Sequence, residues 1–257
     1  MDFVVVVPAR FAATRLPGKV LLDVAGKPMV VHVAERAAAS GAAEVWVATD
    51  DERVRNAVVE HGHHCLMTAA GHRSGTDRIA EVAALRGWPD ATLVVNVQGD
   101  EPRIAPELIR DVAAVLARHP DAAMSTACHA LQRGVDLFNT NVVKVVLSAR
   151  GEALYFSRAT IPWARDAFAA DRTRIPEGLP IYRHTGIYAY RCDFLKRFAA
   201  LEAPAIESFE ALEQLRALWH GFRIQVAVSE QPPAADVNTP EDLETVRRLF
   251  ASDASPL

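Results

Sequence analysis

The sequence predicts an α/β protein with a doubly wound, mostly parallel sheet, helices on both faces and an antiparallel extension. Short valine-rich runs recur at 3–7, 44–49 and 92–97, and they are apolar on both faces, as buried parallel strands require. Stretches of helical periodicity separate these runs. Because strand and helix alternate in this way, right-handed crossovers and helices on both faces of the sheet are expected.

Residues at helix ends mark the helices between these strands. The stretch PMVVHVAERAAAS is closed by Gly41, DERVRNAVVEHG is opened by Asp50 or Asp51, and SGTDRIAEVAALRG is opened by Ser74. A further helix is predicted over PELIRDVAAVLARH. These helices supply the crossovers that parallel strands need.

The second half of the chain changes to strands joined by loops, which predicts antiparallel additions to the sheet. The strands are AAMSTACHAL, NVVKVVLS, ALYFS and IYRHTGIYAYR. The charged, proline-bearing stretch 163–180 is predicted to be a mobile surface excursion. The chain then returns to α/β with a helix over ESFEALEQLRALWHG, the strand FRIQVAV and a closing helix that Thr239 caps and Pro240 begins.

Composition narrows the class of protein. No linker or repeat divides the chain, so one domain over 1–257 is expected, with an antiparallel portion around 122–200. The formal net charge of −4 argues against a basic face for nucleic acid or an anionic membrane. Three widely spaced cysteines indicate free thiols. Without a leader-like segment, a cytoplasmic protein is expected.

The loop after the first strand, PARFAATRLPGK, carries the cations Arg10, Arg15 and Lys19. In open α/β sheets ligands bind beyond the carboxyl ends of the strands, so this loop is a candidate anion site. It has neither the dinucleotide glycine pattern nor the Walker pattern, which means that side-chain cations must hold a phosphate. The alternative is a solvated basic loop.

A second polar cluster, Gln98, Asp100 and Glu101 in VNVQGDEP, follows the strand at 92–97. A carboxylate at that edge suits Mg²⁺, which is held in proteins by one or two carboxylates together with substrate phosphates. The alternative is that Asp100 is a turn residue after Gly99. Beside a cationic loop at the same sheet edge, the metal interpretation is favoured.

Taken together, these motifs resemble the 3-deoxy-manno-octulosonate cytidylyltransferases, or CMP-Kdo synthetases, of Gram-negative bacteria. The resemblance covers essentially the whole chain and rests on PARFAATRLPGK, SGTDR, VNVQGDEP, VVKVV, YFSRATIPW, RHTGIYAYR and LEQLR. The first motif is shared with other sugar nucleotidyltransferases, including CMP-sialic acid synthetases, whereas YFSRATIPW and RHTGIYAYR are more specific. The resemblance implies CTP and Kdo as substrates, Mg²⁺ as cofactor, CMP-Kdo and pyrophosphate as products for lipopolysaccharide assembly, and a homodimer. It also implies that the antiparallel portion around 122–200 serves sugar binding and dimerisation.

The resemblance also implies roles for particular residues. In the reaction that the resemblance implies, the sugar hydroxyl attacks the α-phosphorus of CTP. This step needs cations and correct positioning of the reactants, so Arg10, Lys19 and Asp100 are the candidates for catalysis. Arg15 and Gln98 are further candidates for CTP binding. The base is expected against the first loop and SGTDR, at positions that share this surface: Pro8, Ala9, Arg73 and Ser74.

One departure from the family concerns the second metal ligand. The family carries V-D-T-P-E-D-L, whereas this chain reads DVNTPEDL, with Asn238 at the ligand position and Asp236 two residues earlier. An amide oxygen can coordinate a hard cation, so the candidate metal ligands are Asp100, Asn238 and Asp236. The alternative is that NTPEDL is simply a helix cap.

Kdo is an acidic sugar, so its pocket needs cations and groups that pair with hydroxyls. Arg158 and His184 are the candidates for anionic groups. The candidates for hydroxyls are Gln98, Tyr188, Glu213 and Gln214. For Glu213 and Gln214 the alternative is an exposed helix face, and for His184 it is a core histidine.

Two other functions share many of these features. A cytidylyltransferase for another acidic sugar, such as sialic acid, would use the same first loop. A non-catalytic nucleotide-binding module would keep the fold without turnover, but the combination of Arg10, Lys19 and Asp100 argues against it.

Overall fold

The computed structural model describes residues 1–12, 16–72, 74–232, 234 and 236–253. Within these residues a nine-stranded sheet is accompanied by a small two-stranded one. The strands are β1 Phe3–Pro8, β2 Asp23–Val24, β3 Lys27–Pro28, β4 Glu44–Thr49, β5 His64–Met67, β6 Leu93–Asn96, β7 Met124–Ala130, β8 Lys144–Leu147, β9 Ala153–Ser157, β10 Tyr182–Arg191 and β11 Ile224–Ser229. The α-helices are α1 Met29–Ala39, α2 Glu52–Glu60, α3 Gly75–Arg86, α4 Pro106–Arg118, α5 Arg165–Ala170, α6 Cys192–Phe198, α7 Ala205–Glu210, α8 Gln214–Trp219 and α9 Pro240–Asp253.

The large sheet has the order β11-β7-β10-β6-β1-β4-β5, with β8 and β9 attached beside β10. Strands β6, β1, β4 and β5 pair in parallel, as do β7 and β11. Strand β10 is antiparallel to both of its main-sheet neighbours, β6 and β7. The doubly wound, mostly parallel fold is therefore confirmed, and its antiparallel part lies inside the sheet rather than at one end.

Capping residues in the sequence predicted the starts of three helices correctly. Asp51 accepts a hydrogen bond from the amide of Arg53 at the start of α2. Ser74 and Asp77 form a reciprocal capping box at α3, which satisfies two of the amides that a helix start leaves unpaired. At α9 the amide of Asp242 donates to Thr239 Oγ1 at 3.2 Å. These caps confirm the predicted starts of the three helices.

The structure differs from the sequence analysis at three elements. Strand β5 was not predicted, because its sequence HCLM begins on a histidine and lies at the sheet edge with little apolar alternation. The single helix over ESFEALEQLRALWHG is two short helices, because Ala211 adopts a left-handed conformation between them. The excursion at 163–180 contains α5, whose Phe168 is buried in a cluster with Leu137 and Ile181, so apolar packing anchors that part.

The core has a layer on each face of the sheet. Alternate residues of β1 face opposite layers: Val5 and Val7 pack with α1 and α4, whereas Val4 and Val6 pack with α3 and α6. No described helix is long and apolar enough to cross a membrane. The cysteines behave as expected: Cys65, Cys128 and Cys192 are free thiols.

Candidate active site

The loops after β1 and β6 meet at the carboxyl edge of the sheet. The two strands are parallel neighbours, with Val6 opposite Asn96, and their ladder continues as the amide of Val97 donates to the carbonyl of Val6 at 3.1 Å. A side chain at Gly99 would place its Cβ 3.1 Å from the carbonyl oxygen of Pro8. Glycine therefore allows the second loop to pass close against the first, as a switch-point site in an open α/β sheet requires.

Lys19 links the two loops. Its Nζ donates to Asp100 Oδ2 at 2.5 Å, and the side chains of both residues are largely shielded from solvent. The same Nζ lies 2.9 Å from the carbonyl of Val237 and 3.4 Å from Asn238 Oδ1. One ammonium thus joins the amino-terminal loop, the loop after β6 and the segment before α9, and it brings the candidates Lys19 and Asp100 into direct contact.

The segment before α9 completes this edge. The amide of Val237 donates to the carbonyl of Asp100 at 3.0 Å, and Asn238 Nδ2 donates to Asp236 Oδ2. Asp242 accepts from the amide of Asn238 at 2.9 Å, as part of the helix cap. The two interpretations of NTPEDL are compatible, because the cap fixes the segment that carries Asn238 beside Asp100.

The donor set here fits a hard divalent cation. Asp100, Asp236 and Asn238 line one cavity, and together they offer two carboxylates and an amide oxygen, which are ligands of the kind that Mg²⁺ prefers. Burial, together with the charges of Asp100 and Asp236, raises the pKa of Glu101 to about 8, so this carboxyl group is largely protonated at neutral pH. The described residues contain no ready-made group of three His, Cys, Asp or Glu ligands, so substrate oxygens would have to complete the coordination.

A cavity of about 240 Å³ opens beside Lys19 and is called here the loop cavity. Its lining residues are Pro8, Arg10, Ala12, Lys19, Val20, Gly75, Gln98, Gly99 and Asp100. Arg10 donates from Nη2 to the carbonyl of His72 at 2.7 Å, which holds its guanidinium at the rim. Ala9 differs from the expectation: its side chain is fully buried in the core and its amide donates to the carbonyl of Ala48.

Two candidates for CTP binding, Arg15 and Arg73, lie outside the described residues. Ser74 is half-buried between the nucleotide and sugar candidates. Its Oγ donates to Glu213 Oε1 at 3.3 Å, and burial raises the pKa of Glu213. The capping serine of α3 therefore contacts a residue that was predicted for the sugar.

A larger cavity of about 630 Å³ adjoins the same loops and is called the large cavity. It brings together candidates for the sugar and for the metal, namely Gln98, Asp100, His184, Tyr188, Glu213, Gln214, Asp236 and Asn238. Gln98 and Asp100 line both this cavity and the loop cavity, so they stand at the junction of the two. An acceptor in the large cavity would meet a triphosphate in the loop cavity at these residues.

His184 is placed at the large cavity but is not a cation. Burial lowers the pKa of its imidazole to about 3, so the ring is neutral at physiological pH. Its Nε2 lies 2.9 Å from Thr126 Oγ1, and its ring packs against Phe156 and Tyr188. The contact of His184 with an anionic group of the sugar stays a prediction, and a neutral ring nitrogen would make it.

Arg158 is not brought to the lining of the large cavity. Its guanidinium donates to the carbonyls of Glu210, Thr140 and Ala211 at 2.6, 2.9 and 3.4 Å. Each guanidinium nitrogen thus already donates to a backbone oxygen, so Arg158 does not face the large cavity as a free cation would. A different arginine, Arg183, lines the large cavity; in the sequence it stands only as the first residue of RHTGIYAYR, which is a weak signal.

Gln214 is buried rather than on an exposed helix face, which settles that alternative. It helps to line a cavity of about 100 Å³, the small cavity, together with Gln98, Tyr188, Glu213 and Asn96. Within the described part of the chain, Gln214 Nε2 and Asn96 Oδ1 are buried without a hydrogen-bond partner. Such amides fit a site that a hydroxylated ligand or water occupies. Sequence reasoning missed Asn96, although it ends a strand at the functional edge.

Comparisons with known proteins identify the family and the fold of the chain. A family described as cytidylyltransferase matches residues 4–224. The solved structure described as CMP:2-keto-3-deoxy-manno-octonic acid synthetase complexed with CTP has 41% sequence identity and a TM-score of 0.89, over 98% of this chain and all of that one. A cytidylyltransferase from Leptospira borgpetersenii serovar Hardjo-bovis (strain JB197) has 15% identity and a TM-score of 0.63, over 99% of this chain and 88% of that one, and so shows the fold alone. The chain belongs to the cytidylyltransferase family.

Proposed function

We propose that the protein transfers a cytidylyl group from CTP to 3-deoxy-D-manno-octulosonate, giving CMP-Kdo and pyrophosphate. The observation that carries this proposal is the junction at Gln98 and Asp100, where a cavity edged by cations meets a cavity lined by hydrogen-bonding side chains. The relative with 41% identity, a CMP-Kdo synthetase solved with CTP, supports both the nucleotide and the sugar.

In this proposal the loop cavity receives the triphosphate. Arg10 and Lys19 stand on its wall and offset the negative charge that builds up as pyrophosphate leaves. Lys19 is held by Asp100 and by the carbonyl of Val237 before any ligand binds, so its ammonium needs little reorganisation. Pre-positioned charge of this kind stabilises a transition state more than mobile charge does.

We propose Mg²⁺ as the cofactor, held by Asp100 with Asp236 or Asn238. Such a cation would supply charge neutralisation on the phosphates and a lower pKa for the sugar hydroxyl that attacks. Asp100 accepts from Lys19 through Oδ2, and the hydrogen bond from Asn238 Nδ2 to Asp236 holds these two side chains together. The oxygen atoms proposed as ligands of the cation thus lie on one side of the junction between the two cavities.

The large and small cavities receive the sugar. Tyr188 keeps its phenolic proton, because burial raises its pKa well above the usual value, and it can therefore donate to a sugar oxygen. Glu213 and Gln214 add an acceptor and an amide next to it. These polar groups can form hydrogen bonds with a polyhydroxylated acceptor. Gln98 lines both the cavity proposed for the sugar and the cavity proposed for the nucleotide.

The resemblance of the sequence to CMP-Kdo synthetases supports three further proposals, that the enzyme acts in lipopolysaccharide assembly, in the cytoplasm, and as a homodimer. The dimer is tested by the molar mass of the purified protein in light scattering. Cell fractionation of the producing bacterium tests the compartment. A depleted strain should accumulate lipopolysaccharide precursors that lack Kdo.

The activity is tested with purified protein, CTP and Mg²⁺ against Kdo and a nine-carbon sialic acid, with pyrophosphate release as the readout. We expect turnover with Kdo and CTP, and little with the other nucleoside triphosphates. Release with sialic acid but not with Kdo would favour a cytidylyltransferase for another acidic sugar. CTP binding without any turnover would favour a non-catalytic nucleotide-binding module.

A further inference from the structure

The segment that carries two proposed sugar ligands is shaped by one unusual residue. Helix α7 ends at Glu210, Ala211 has φ 51° and ψ 50°, and α8 begins at Gln214. Ala211, Leu212, Glu213 and Gln214 all line the large cavity. The direction in which Glu213 and Gln214 face the cavity therefore depends on the turn at Ala211.

The left-handed conformation at Ala211 needs support from outside. For residues with a Cβ this region is disfavoured, and glycine is the usual occupant at the end of a helix. A conformation of this kind persists where its surroundings hold it, and such positions often occur at ligand sites. Contacts that hold the turn should therefore be identifiable.

Arg158 and Glu210 provide these contacts, and the pair is called here the Arg158–Glu210 clasp. The guanidinium of Arg158 donates from Nε to the carbonyl of Glu210 at 2.6 Å and from Nη2 to the carbonyl of Ala211 at 3.4 Å. The amide of Arg158 donates to Glu210 Oε2 at 2.9 Å. Arg158, directly after β9, therefore holds both the side chain of Glu210 and the backbone of the turn.

The clasp is itself fixed to the sheet. Ser157 Oγ donates to Glu210 Oε1 at 2.6 Å, and the fully buried Lys144 donates to the carbonyl of Arg158 at 2.6 Å. Burial by itself raises the pKa of Glu210, but hydrogen bonds from the Arg158 amide, Ser157 and Tyr155 outweigh it and lower the pKa. Glu210 is therefore a carboxylate at neutral pH, which accepts charge-assisted hydrogen bonds.

We infer that the Arg158–Glu210 clasp is a positioning device that sets the sugar affinity of the enzyme. Neither residue lines a cavity of the site, but together they fix the left-handed turn that presents Glu213 and Gln214. The ligand class is a polyhydroxylated acidic sugar, so the inference rests on the proposed function. It gives Arg158 a role through the backbone instead of the direct contact with an anion that the sequence suggested.

The test compares Glu210→Ala, Glu210→Gln and Ala211→Gly by steady-state kinetics with CTP and Kdo. Because a small displacement of positioning groups can cost up to about 100-fold, we expect Glu210→Ala to raise KM for the sugar roughly 10- to 100-fold. Ala211→Gly keeps the clasp and lets the turn form without steric cost, so its KM for the sugar should stay within about threefold of that of the unmodified enzyme. KM for CTP should change less than about twofold, since the loop cavity does not depend on this turn. Glu210→Gln should restore part of the sugar affinity, because its carbonyl can still accept from Ser157.

Ala25→Gly is the matched control. Ala25 is also exposed and left-handed, with φ 49°, but it lies in the turn between β2 and β3 and lines none of the three cavities. It should leave both KM values unchanged. A rise in KM for the sugar in Ala25→Gly as large as the rise in Glu210→Ala would overturn the inference, because it would show that changing a turn away from the cavities has the same effect.

An unchanged KM for the sugar in Glu210→Ala would also overturn it. If Glu210→Ala fails to fold, Arg158→Lys decides instead: a lysine cannot donate to both turn carbonyls from one planar fork, so it should raise KM for the sugar in the same range, and an unchanged KM would overturn the inference. Failure of the proposed function is a separate result, in which the unmodified enzyme does not turn over Kdo. The same variants would then be assayed with the acidic sugar that it does accept.

Discussion

The junction between the cavities can be tested most directly by Asp100→Asn. The substitution keeps the size of the side chain and one oxygen, but it removes the charge that faces Lys19. Lys19 retains the carbonyl of Val237 and the Asn238 oxygen as acceptors. The substitution therefore tests the charge of Asp100, because the other contacts that join the three segments remain.

The expected loss of stability is modest. A hydrogen bond to a charged group contributes about 1.5–3 kcal/mol to the free energy of unfolding. Lys19 keeps two other acceptors, so the loss is expected toward the lower end of this range. We expect the free energy of unfolding to fall by about 1–2 kcal/mol, or roughly 2–8 °C in Tm.

The expected loss of activity is larger. If Asp100 holds the cation and orients Lys19, turnover should fall on the order of 10²- to 10³-fold, whereas KM for CTP should stay within about threefold. The assay is pyrophosphate release at saturating Kdo across a range of Mg²⁺ concentrations. Half-maximal turnover should need more Mg²⁺ in the variant, because one carboxylate ligand is missing.

Asp121→Asn serves as the control for this experiment. Like Asp100, Asp121 accepts a hydrogen bond from a cationic side chain, in this case Arg223 at 3.4 Å, but its side chain is exposed and it lies before β7, at the opposite edge of the sheet. An exposed pair of this kind contributes about 0.2–1 kcal/mol, so turnover should not change. If Asp100→Asn kept turnover within a few-fold of the unmodified enzyme, the role of Asp100 would be refuted.

Three further predictions concern the metal, acid stability and thiol reactivity. Asn238→Ala and Asp236→Ala, assayed across Mg²⁺ concentrations, should differ, with a higher requirement in the variant that lacks a ligand; no change in either would exclude a side-chain ligand from this segment. Burial lowers the pKa of His184 from about 6.5 to about 3, so between these values the unfolded chain binds a proton that the folded protein does not. Stability should fall as the pH drops from 6.5 to 3, and His184→Gln should remove about 1–2 kcal/mol of that loss at pH 5 in urea unfolding; an identical pH slope would contradict the burial of this ring. Burial also raises the pKa of the Cys128 thiol to about 12, so at pH 8 it should react with a disulfide reagent only as the protein unfolds, and rapid labelling of the native protein at this residue would argue against its position.

Much of the fold could be predicted because its signals are local. The runs at β1 and β4 are apolar on both faces, and Ser74 and Thr239 cap the helices that follow them in sequence. These features depend on neighbours within a few residues. Strand β5 was missed because its pairing with β4, rather than its own pattern, makes it a strand.

The break at Ala211 was missed for a related reason. Its neighbours have helical periodicity, and alanine is the best helix former. The left-handed conformation comes from hydrogen bonds with Arg158, which lies 53 residues earlier in the chain. A contact at that separation leaves no trace in the local sequence, so the periodicity predicted one continuous helix.

What the sequence determined by itself is the chemistry available at the sheet edge: cations after β1, carboxylates after β6 and an acidic, amide-bearing segment before α9. Only the tertiary structure decided how these groups are used. It pairs Lys19 with Asp100 across 81 residues, turns Arg158 toward backbone carbonyls and leaves His184 neutral. Residue type and spacing determine which ionisable side chains the chain carries at this edge of the sheet. The partners and the protonation states of these side chains depend on burial and on long-range packing, which local sequence does not encode.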